Sequence, residues 1–171
     1  MPRDRLWAPW RIQYIEADKG EPREGGSGCI FCDKPAEDDD EKNLIVHRGH
    51  HAYVILNGYP YNNGHVMVVP YKHLAEYHAL DKATRDEVGD LTALCLEVLG
   101  AAYDPGGFNV GINQGSAAGA GIAAHLHQHI VPRWAGDTNF MPVVADTRVL
   151  PEGLAHSYAK IREAFEQHRS S

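Results

Sequence analysis

Two short runs of β-forming residues, followed by one long amphipathic segment, constrain the fold of this chain most. Residues 52–56 and 65–69 are rich in Val, Ile and aromatic side chains, and a loop with Asn, Gly and Pro joins them over 57–64, which predicts a β-hairpin. Apolar residues then recur at three- and four-residue spacing, which predicts a helix over 81–102 with Asp81 as its N-cap.

The rest of the chain adds strands and one more helix. Strands are predicted near 108–113 and 126–132, separated by a Gly/Ala-rich loop, and an amphipathic helix is predicted over 152–168. A strand-rich centre with flanking helices indicates the α+β class with a mainly antiparallel sheet.

Composition limits the kind of protein that this chain forms. Its 171 residues, 43% hydrophobic and 23% charged, suit a single globular domain. No apolar run approaches the ~20 residues that span a membrane, and the N-terminus lacks a signal-peptide pattern, so we expect a cytoplasmic protein without membrane contact. The formal net charge of -7 disfavours nucleic acid as a partner. An odd count of three cysteines argues against a disulfide framework.

Three histidines alternate in the run His125-Leu126-His127-Gln128-His129. Because residues two apart in a strand share a face, the pattern predicts three imidazoles on one side of a strand. Imidazole acts as nucleophile, acid, base or metal ligand near neutral pH. One alternative is a site in which all three histidines bind a single catalytic metal ion, and another is a polar strand face without function.

Two neighbouring patterns add ligand-binding chemistry. The glycine-rich stretch 113–121 begins Asn-Gln-Gly-Ser, and its glycines would let backbone amides approach a phosphate group closely. Cys29 and Cys32 have the C-x-x-C spacing that lets two thiolates share one tetrahedral ion. Redox pairs have the same spacing, but no thioredoxin-like context surrounds this one.

The histidine run, followed by two apolar residues, resembles the motif of the histidine-triad (HIT) superfamily of nucleotide hydrolases and transferases. The resemblance covers about residues 6–140 and is greatest for the fragile-histidine-triad and bacterial diadenosine tetraphosphate phosphorylase branches. The other segments that carry it are 6–11, 54–57, 63–70, 113–115 and 131–140.

The resemblance implies a HIT-like fold in which one long helix packs on a five-stranded, mainly antiparallel sheet and a C-terminal helix follows. It divides the single domain into an N-terminal arm and loop over 1–28, a HIT core over 29–140 and a C-terminal extension with a helix over 141–171. It also implies a homodimer, because protomers of this family join their sheets.

The resemblance further implies a role for each motif residue. His127 would attack the α-phosphorus and form a covalent nucleotidyl-histidine while the carbonyl of His125 holds its other ring nitrogen. His129 would contact the phosphate and assist the leaving group, and Asn57 would bind ribose hydroxyls. The other residues implied in nucleotide binding are Asn113, Gln114, Gly115, Ser116, Gly119 and Gly121.

A structural zinc ion is the cofactor that the resemblance implies. The ligands would be Cys29, Cys32, His73 and His125. His50 and His51 are rival ligands that we interpret as turn residues, and we expect His65 to be a hydrogen-bonded structural histidine.

The expected activity is hydrolysis or transfer at the α-phosphate of an adenine nucleotide or dinucleotide such as diadenosine tetraphosphate. Nucleoside phosphoramidate hydrolysis is the alternative within the enzyme class. A nucleotide-binding regulator with incidental catalysis is the alternative outside it. Family members often carry Ser or Thr three or four residues before the first histidine, whereas this chain has Gly121 and Ile122 there.

Overall fold

A computed structural model describes residues 26–137 and 152–169 of the chain. The predicted N-terminal arm over 6–11 and residues 138–140 of the predicted tail lie outside the described residues. The described elements, in chain order, are α1 (Ile30–Ala36), α2 (Asp40–Asn43), β1 (Ile45–Arg48), β2 (Ala52–Leu56), β3 (Val66–Pro70), α3 (Lys82–Tyr103), β4 (Gly107–Ile112), β5 (Gln128–Arg133) and α4 (Leu154–Arg169).

Within the described residues the sheet has five strands in the order β1-β2-β3-β5-β4, and each neighbouring pair is antiparallel. The predicted hairpin is confirmed: β2 pairs with β3 from Ala52 opposite Pro70 to Leu56 opposite Val66. The predicted α+β class with an antiparallel five-stranded sheet is therefore confirmed.

Side-chain alternation along β2 and β3 gives the sheet two different faces. On one face the strand residues form the main core with apolar residues of α3 and α4, such as Leu99 and Ile161. On the other face Tyr53, Ile55, Met67 and others pack with residues of the α1 region. Among the described residues, the long helices α3 and α4 pack on the first face and the short helix α1 packs on the second.

The two long helices follow the sequence pattern. Asp81 caps α3 as predicted, since its Oδ1 accepts the backbone N–H of Thr84 at 2.9 Å. The helix ends one residue later than predicted, at Tyr103, where Asp104 adopts a left-handed conformation. The C-terminal helix is confirmed as α4. None of the helices in the described ranges has the length and apolarity to cross a membrane.

The predicted strand over 126–132 begins later than expected. Gln128 is the first residue of β5, so His125 and His127 precede the strand and the prediction that all three histidines lie on it is wrong. The reason lies in the backbone: the N–H of Leu126 donates to the carbonyl of Leu74 at 2.7 Å, outside the sheet. The side chain of Gln128 points away from the three histidines, as expected, and donates to Thr92 on α3 at 2.6 Å.

Candidate active site and metal cluster

The four predicted metal ligands lie together at one end of the α1 side of the sheet. One ligand atom from each of Cys29, Cys32, His73 and His125 lies within 4.8 Å of all the others. Cys29 and His125 are buried, Cys32 is half-buried and His73 is exposed, so the cluster extends from the interior to the surface. Desolvation by burial raises the pKa of the Cys32 thiol, and a bound cation would reverse this by stabilising the thiolate.

The spacing of these atoms fits a tetrahedral ion. Bonds of roughly 2.3 Å to sulfur and roughly 2.0 Å to nitrogen set sulfur–nitrogen separations of about 3.5 Å. Nδ1 of His125 lies 3.3 Å from Sγ of Cys29 and 3.5 Å from Sγ of Cys32, and Nδ1 of His73 lies 3.3 Å from Sγ of Cys32. Two thiolates and two imidazoles are a donor set typical of structural zinc.

His125 has a different partner for each of its ring nitrogens. Its Nε2–H donates to the carbonyl of Pro70 at 2.8 Å, which leaves the Nδ1 lone pair directed at the two sulfurs. A metal-binding histidine usually donates its second nitrogen in this way, because the hydrogen bond fixes the tautomer and the ring orientation. Burial lowers the pKa of His125, which keeps the ring neutral as a ligand.

His127 uses its Nδ1 for a hydrogen bond to the backbone and keeps the lone pair on Nε2, the reverse of the arrangement in His125. Its Nδ1–H donates to the backbone carbonyl of His125 at 2.8 Å, so the lone pair is on Nε2. The side chain is buried, and desolvation lowers the pKa of the imidazole although the hydrogen bond to His125 opposes this shift. At neutral pH the ring is therefore a neutral imidazole with an oriented Nε2, which is the form that acts as a nucleophile.

His129 belongs to a chain of hydrogen bonds that begins in the β2–β3 loop. The N–H of Tyr61 donates to Nδ1 of His65 at 3.0 Å, so the proton of a neutral His65 is on Nε2. That Nε2–H donates to Nδ1 of His129, also at 3.0 Å. The proton of a neutral His129 is consequently on its own Nε2. The ring centroids of His129 and His127 are 5.0 Å apart.

The expectation for His65 is confirmed, since it is hydrogen-bonded and fully buried. The sequence did not reveal its link to His129, which joins residues 64 positions apart. The two rival metal ligands, His50 and His51, lie in the β1–β2 turn as expected. Their backbone N–H groups donate to the carboxylate of Glu87 on α3. Neither histidine belongs to the candidate metal-binding group found among the described residues.

The glycine-rich loop leaves the sheet beside the histidines. Ile112, the last residue of β4, pairs with Gln128, the first residue of β5. Asn113 directly follows this pair in the chain, and His127 directly precedes it. Gly115 and Gly119 have φ values of 82° and 81°, and Ser116–Ala118 forms a 3₁₀ turn between them.

The residues of this loop differ in their contacts. The side-chain oxygen of Gln114 accepts the N–H of Tyr77 at 2.9 Å, which anchors the loop. Ser116 and Gly121 are exposed. Ser116 and Gly121 are therefore accessible to a ligand, while Gln114 already has a partner within the protein.

Asn57 has a different environment from the one expected of an exposed ribose ligand. It is 7% exposed at the end of β2, where its Oδ1 accepts the N–H of Tyr59 at 2.9 Å. Its Nδ2 lies 3.4 Å from both ring nitrogens of His65. The residue is thus next to the His65–His129 pair, and its role in ribose binding stays a prediction.

Phe31 is a neighbour of the histidines that sequence reasoning missed. Its ring centroid lies 5.5 Å from that of His125 and 5.0 Å from that of His127. The signal in the sequence was its position inside the C-x-x-C segment, where an aromatic residue accompanies the two thiols.

Known proteins share the fold and the sequence pattern. The family model of the HIT domain matches residues 39–136. The AP-4-A phosphorylase of Mycobacterium tuberculosis is 41% identical over 152 residues, which cover 88% of this chain and 78% of the relative.

Two solved structures agree with this relationship. A hypothetical histidine triad nucleotide-binding protein of Sulfolobus tokodaii has a TM-score of 0.63 and 28% identity, with coverage of 82% of this chain and 94% of that one. A Zn-bound histidine triad family protein of Mycobacterium smegmatis has a TM-score of 0.62 and 26% identity, with coverage of 83% and 96%. The matched domain spans more than half of the chain and contains the histidine run, and we conclude that this chain belongs to the HIT family.

Proposed function

We propose that this protein cleaves dinucleoside polyphosphates such as diadenosine tetraphosphate at the α-phosphate, through a covalent nucleotidyl-histidine on His127. The observation that carries the proposal is the hydrogen bond from Nδ1–H of His127 to the carbonyl of His125 at 2.8 Å. It orients Nε2 and makes it nucleophilic. The 41% identity to an AP-4-A phosphorylase supports the choice of substrate class.

The first step forms a bond between Nε2 of His127 and the α-phosphorus and breaks the bond from that phosphorus to the bridging oxygen. The bonding electron pair leaves with the polyphosphate, whose oxygen then needs a proton or a hydrogen-bond donor. His129 supplies that donor, since its hydrogen bond from His65 places the proton on Nε2. General acid assistance of this type contributes roughly a hundredfold to ten-thousandfold in rate.

The phosphate groups of the substrate would bind along the glycine-rich loop, which follows the Ile112–Gln128 pair at the end of β4. Backbone N–H groups of Gly115, Ser116 and Gly121 and the side chain of Asn113 are the candidate donors. Gly119 would act by shaping the loop, because its N–H already donates to the carbonyl of Ser116 at 2.9 Å. Gln114 would act by anchoring the loop through Tyr77. Asn57 would contribute to the ribose site once it exchanges its contact with Tyr59.

The second step transfers the nucleotidyl group from His127 to an acceptor. Attack by inorganic phosphate on the phosphorus breaks the N–P bond and releases ADP, so that diadenosine tetraphosphate and phosphate yield ADP and ATP. Attack by water releases AMP instead. The name of the mycobacterial relative favours phosphate as the acceptor.

Zinc is the cation that we propose for the metal cluster. The donor set and the sulfur–nitrogen distances of 3.3–3.5 Å support it, and the related M. smegmatis protein is Zn-bound. A bound ion would cross-link α1, the segment after β3 and the segment before β5. With no position left for substrate among four protein ligands, its role would be structural.

Mass spectrometry of products and of the intact protein tests this proposal. Wild-type protein should give ADP and ATP from diadenosine tetraphosphate only when phosphate is present, and a transient AMP adduct on His127. The variant His127→Ala should form no adduct and keep its zinc. Loss of zinc in that variant would instead support a catalytic ion bound by the three histidines, and turnover no faster than in the variant would support a regulator.

The domain division over 1–28, 29–140 and 141–171 and the homodimer also stay predictions. Sedimentation velocity of the full chain tests the second, since a monomer at assay concentration would contradict it.

A further inference from the structure

The nucleophile has an aromatic neighbour that comes from the metal-binding segment itself. Phe31 lies between Cys29 and Cys32 in the chain and is 2% exposed. The planes of the Phe31 and His127 rings are inclined by 45° at a centroid distance of 5.0 Å. One segment therefore supplies two sulfurs to the metal cluster and a ring contact to the proposed nucleophile.

The backbone around Phe31 is fixed independently of its ring. The hydroxyl of Tyr53 on β2 donates to the carbonyl of Phe31 at 2.8 Å in the buried interior. Burial raises the pKa of the Tyr53 phenol well above its usual value, so the hydroxyl keeps its proton. The N–H groups of Cys32 and Asp33 both donate to the carbonyl of Cys29 at 2.9 Å. The backbone of Phe31 is thus fixed by the hydrogen bond from Tyr53 on β2, and by Cys29 and Cys32, which flank it in the chain and belong to the metal cluster.

The hydrogen bond of His127 alone leaves its orientation incompletely defined. It fixes Nδ1 against the carbonyl of His125, but the plane of the ring and the direction of Nε2 also depend on packing. The packing partners among the described aromatic rings are Phe31 and His129, each with its centroid 5.0 Å from that of His127. In-line attack on phosphorus requires this direction to be held, and a misplacement near 1 Å costs roughly a hundredfold in rate.

We propose that Phe31 is a positioning residue for His127, and that a metal ion bound to Cys29 and Cys32 keeps Phe31 in place. The metal cluster then acts on the reaction through two routes, the carbonyl of His125 and the ring of Phe31. This inference rests on the proposed function, since it requires His127 to be the nucleophile.

Single-turnover formation of the His127 adduct, measured by rapid quench and mass spectrometry on zinc-loaded full-length protein, tests the role of Phe31. Phe31→Leu should slow adduct formation roughly tenfold to a hundredfold, with nucleotide affinity and zinc content unchanged. The matched control is Phe165→Leu on α4, because Phe165 is also 2% exposed and also packs against a histidine, His47, at 5.0 Å. It should form the adduct at the wild-type rate.

The outcomes separate this inference from the proposed function. A wild-type rate in Phe31→Leu, or an equal loss in Phe165→Leu, overturns the positioning role, whereas absence of an adduct in the wild type overturns the nucleophile itself. If Phe31→Leu does not fold, Phe31→Met keeps a similar apolar volume without a flat ring and is interpreted in the same way.

The role of the metal is tested without any variant. Modification of His127 by diethyl pyrocarbonate, located by peptide mass spectrometry, reports how freely the ring is reached in the absence of substrate. Chelation of zinc should make this modification roughly tenfold faster, since Phe31 and the His125 carbonyl lose their anchor. Equal rates with and without zinc would overturn the proposed link between the metal and the nucleophile.

Discussion

Replacement of His65 should slow the cleavage of substrates with poor leaving groups far more than that of substrates with good ones. The variant His65→Leu removes the Nε2–H that donates to Nδ1 of His129 at 3.0 Å. It also removes the acceptor of the Tyr61 N–H, again at 3.0 Å. His129 would remain, but its proton would no longer be held on Nε2, where a basic leaving group needs it.

The size of the effect follows from these two contacts. General acid assistance is worth roughly a hundredfold to ten-thousandfold, and His129 without His65 still samples the productive tautomer, so we expect a loss of about tenfold to a hundredfold in kcat. His65 is fully buried, and the unsatisfied N–H of Tyr61 costs about 1–3 kcal/mol. A typical domain has about 5–15 kcal/mol of stability, so the variant should still fold.

Two substrates and a matched variant separate chemistry from packing. An N-alkyl phosphoramidate of AMP has an amine leaving group that must be protonated, whereas the p-nitrophenyl ester of AMP releases a phenolate that needs no proton. His65→Leu should lose activity on the first and keep most of it on the second. In His65→Gln the amide oxygen accepts from Tyr61 and the amide nitrogen donates to His129, so activity should recover. Equal loss on both substrates, or no recovery with Gln, would refute the reasoning.

Three further predictions concern the scaffold around the site. Glu87→Gln should cost about 2 kcal/mol at pH 7, because the carboxylate accepts three backbone N–H groups of the β1–β2 turn. Burial opposes ionisation of Glu87, yet these bonds lower its pKa below 4.5. The added stability is therefore present above pH 4.5 and is lost as pH falls through the pKa of the native state. Urea denaturation measures this, and a difference between wild type and variant that persists at pH 2 would contradict it. At a free zinc concentration about 100 times Kd, bound zinc should raise the free energy of unfolding by about 3 kcal/mol, and chelation should remove this gain. A thermal unfolding midpoint that is the same with and without zinc would count against a structural ion. Gly111 pairs with His129, and a Cβ at Gly111 would meet nothing within 4 Å. Gly111→Val should therefore retain or gain stability, but should lose activity because its side chain fills the space beside His129. Gly107→Val on the same strand is the control: its position is equally open, and it should keep its activity.

Local patterns were sufficient for the hairpin and the long helices. The β-rich runs at 52–56 and 65–69 and the three-four spacing over 81–102 are properties of neighbouring residues, and each element formed within one or two residues of its predicted bounds. By contrast, β1 has four residues and α1 has seven with a proline inside, so each contains at most two periods of its pattern, too few to distinguish it from a loop. Both are stabilised by tertiary burial, which local sequence does not encode.

The candidate site shows the same division. C-x-x-C spacing indicated a ligand pair, but His73 and His125 came from the family resemblance, since 96 positions separate Cys29 from His125. The strand alternation grouped the three histidines, although it misplaced the start of β5. The contact from Phe31 to His127 and the contact from His65 to His129 depend on how the α1 segment and β3 pack beside the histidine segment, which spacing within a segment does not report.

Strand β3 explains why two of the three similar histidines have different hydrogen-bond partners. Its last residue, Pro70, accepts the Nε2–H of His125, which directs Nδ1 of that ring to the metal ligands. Directly before its first residue, His65 donates to Nδ1 of His129. His127 lies between the two in sequence, and its Nδ1–H donates to the backbone carbonyl of His125 rather than to β3. Because β3 is antiparallel to β5, a slip of one residue in their register would break the bonds at both ends, so the assignment of protons in this site depends on the pairing of the sheet.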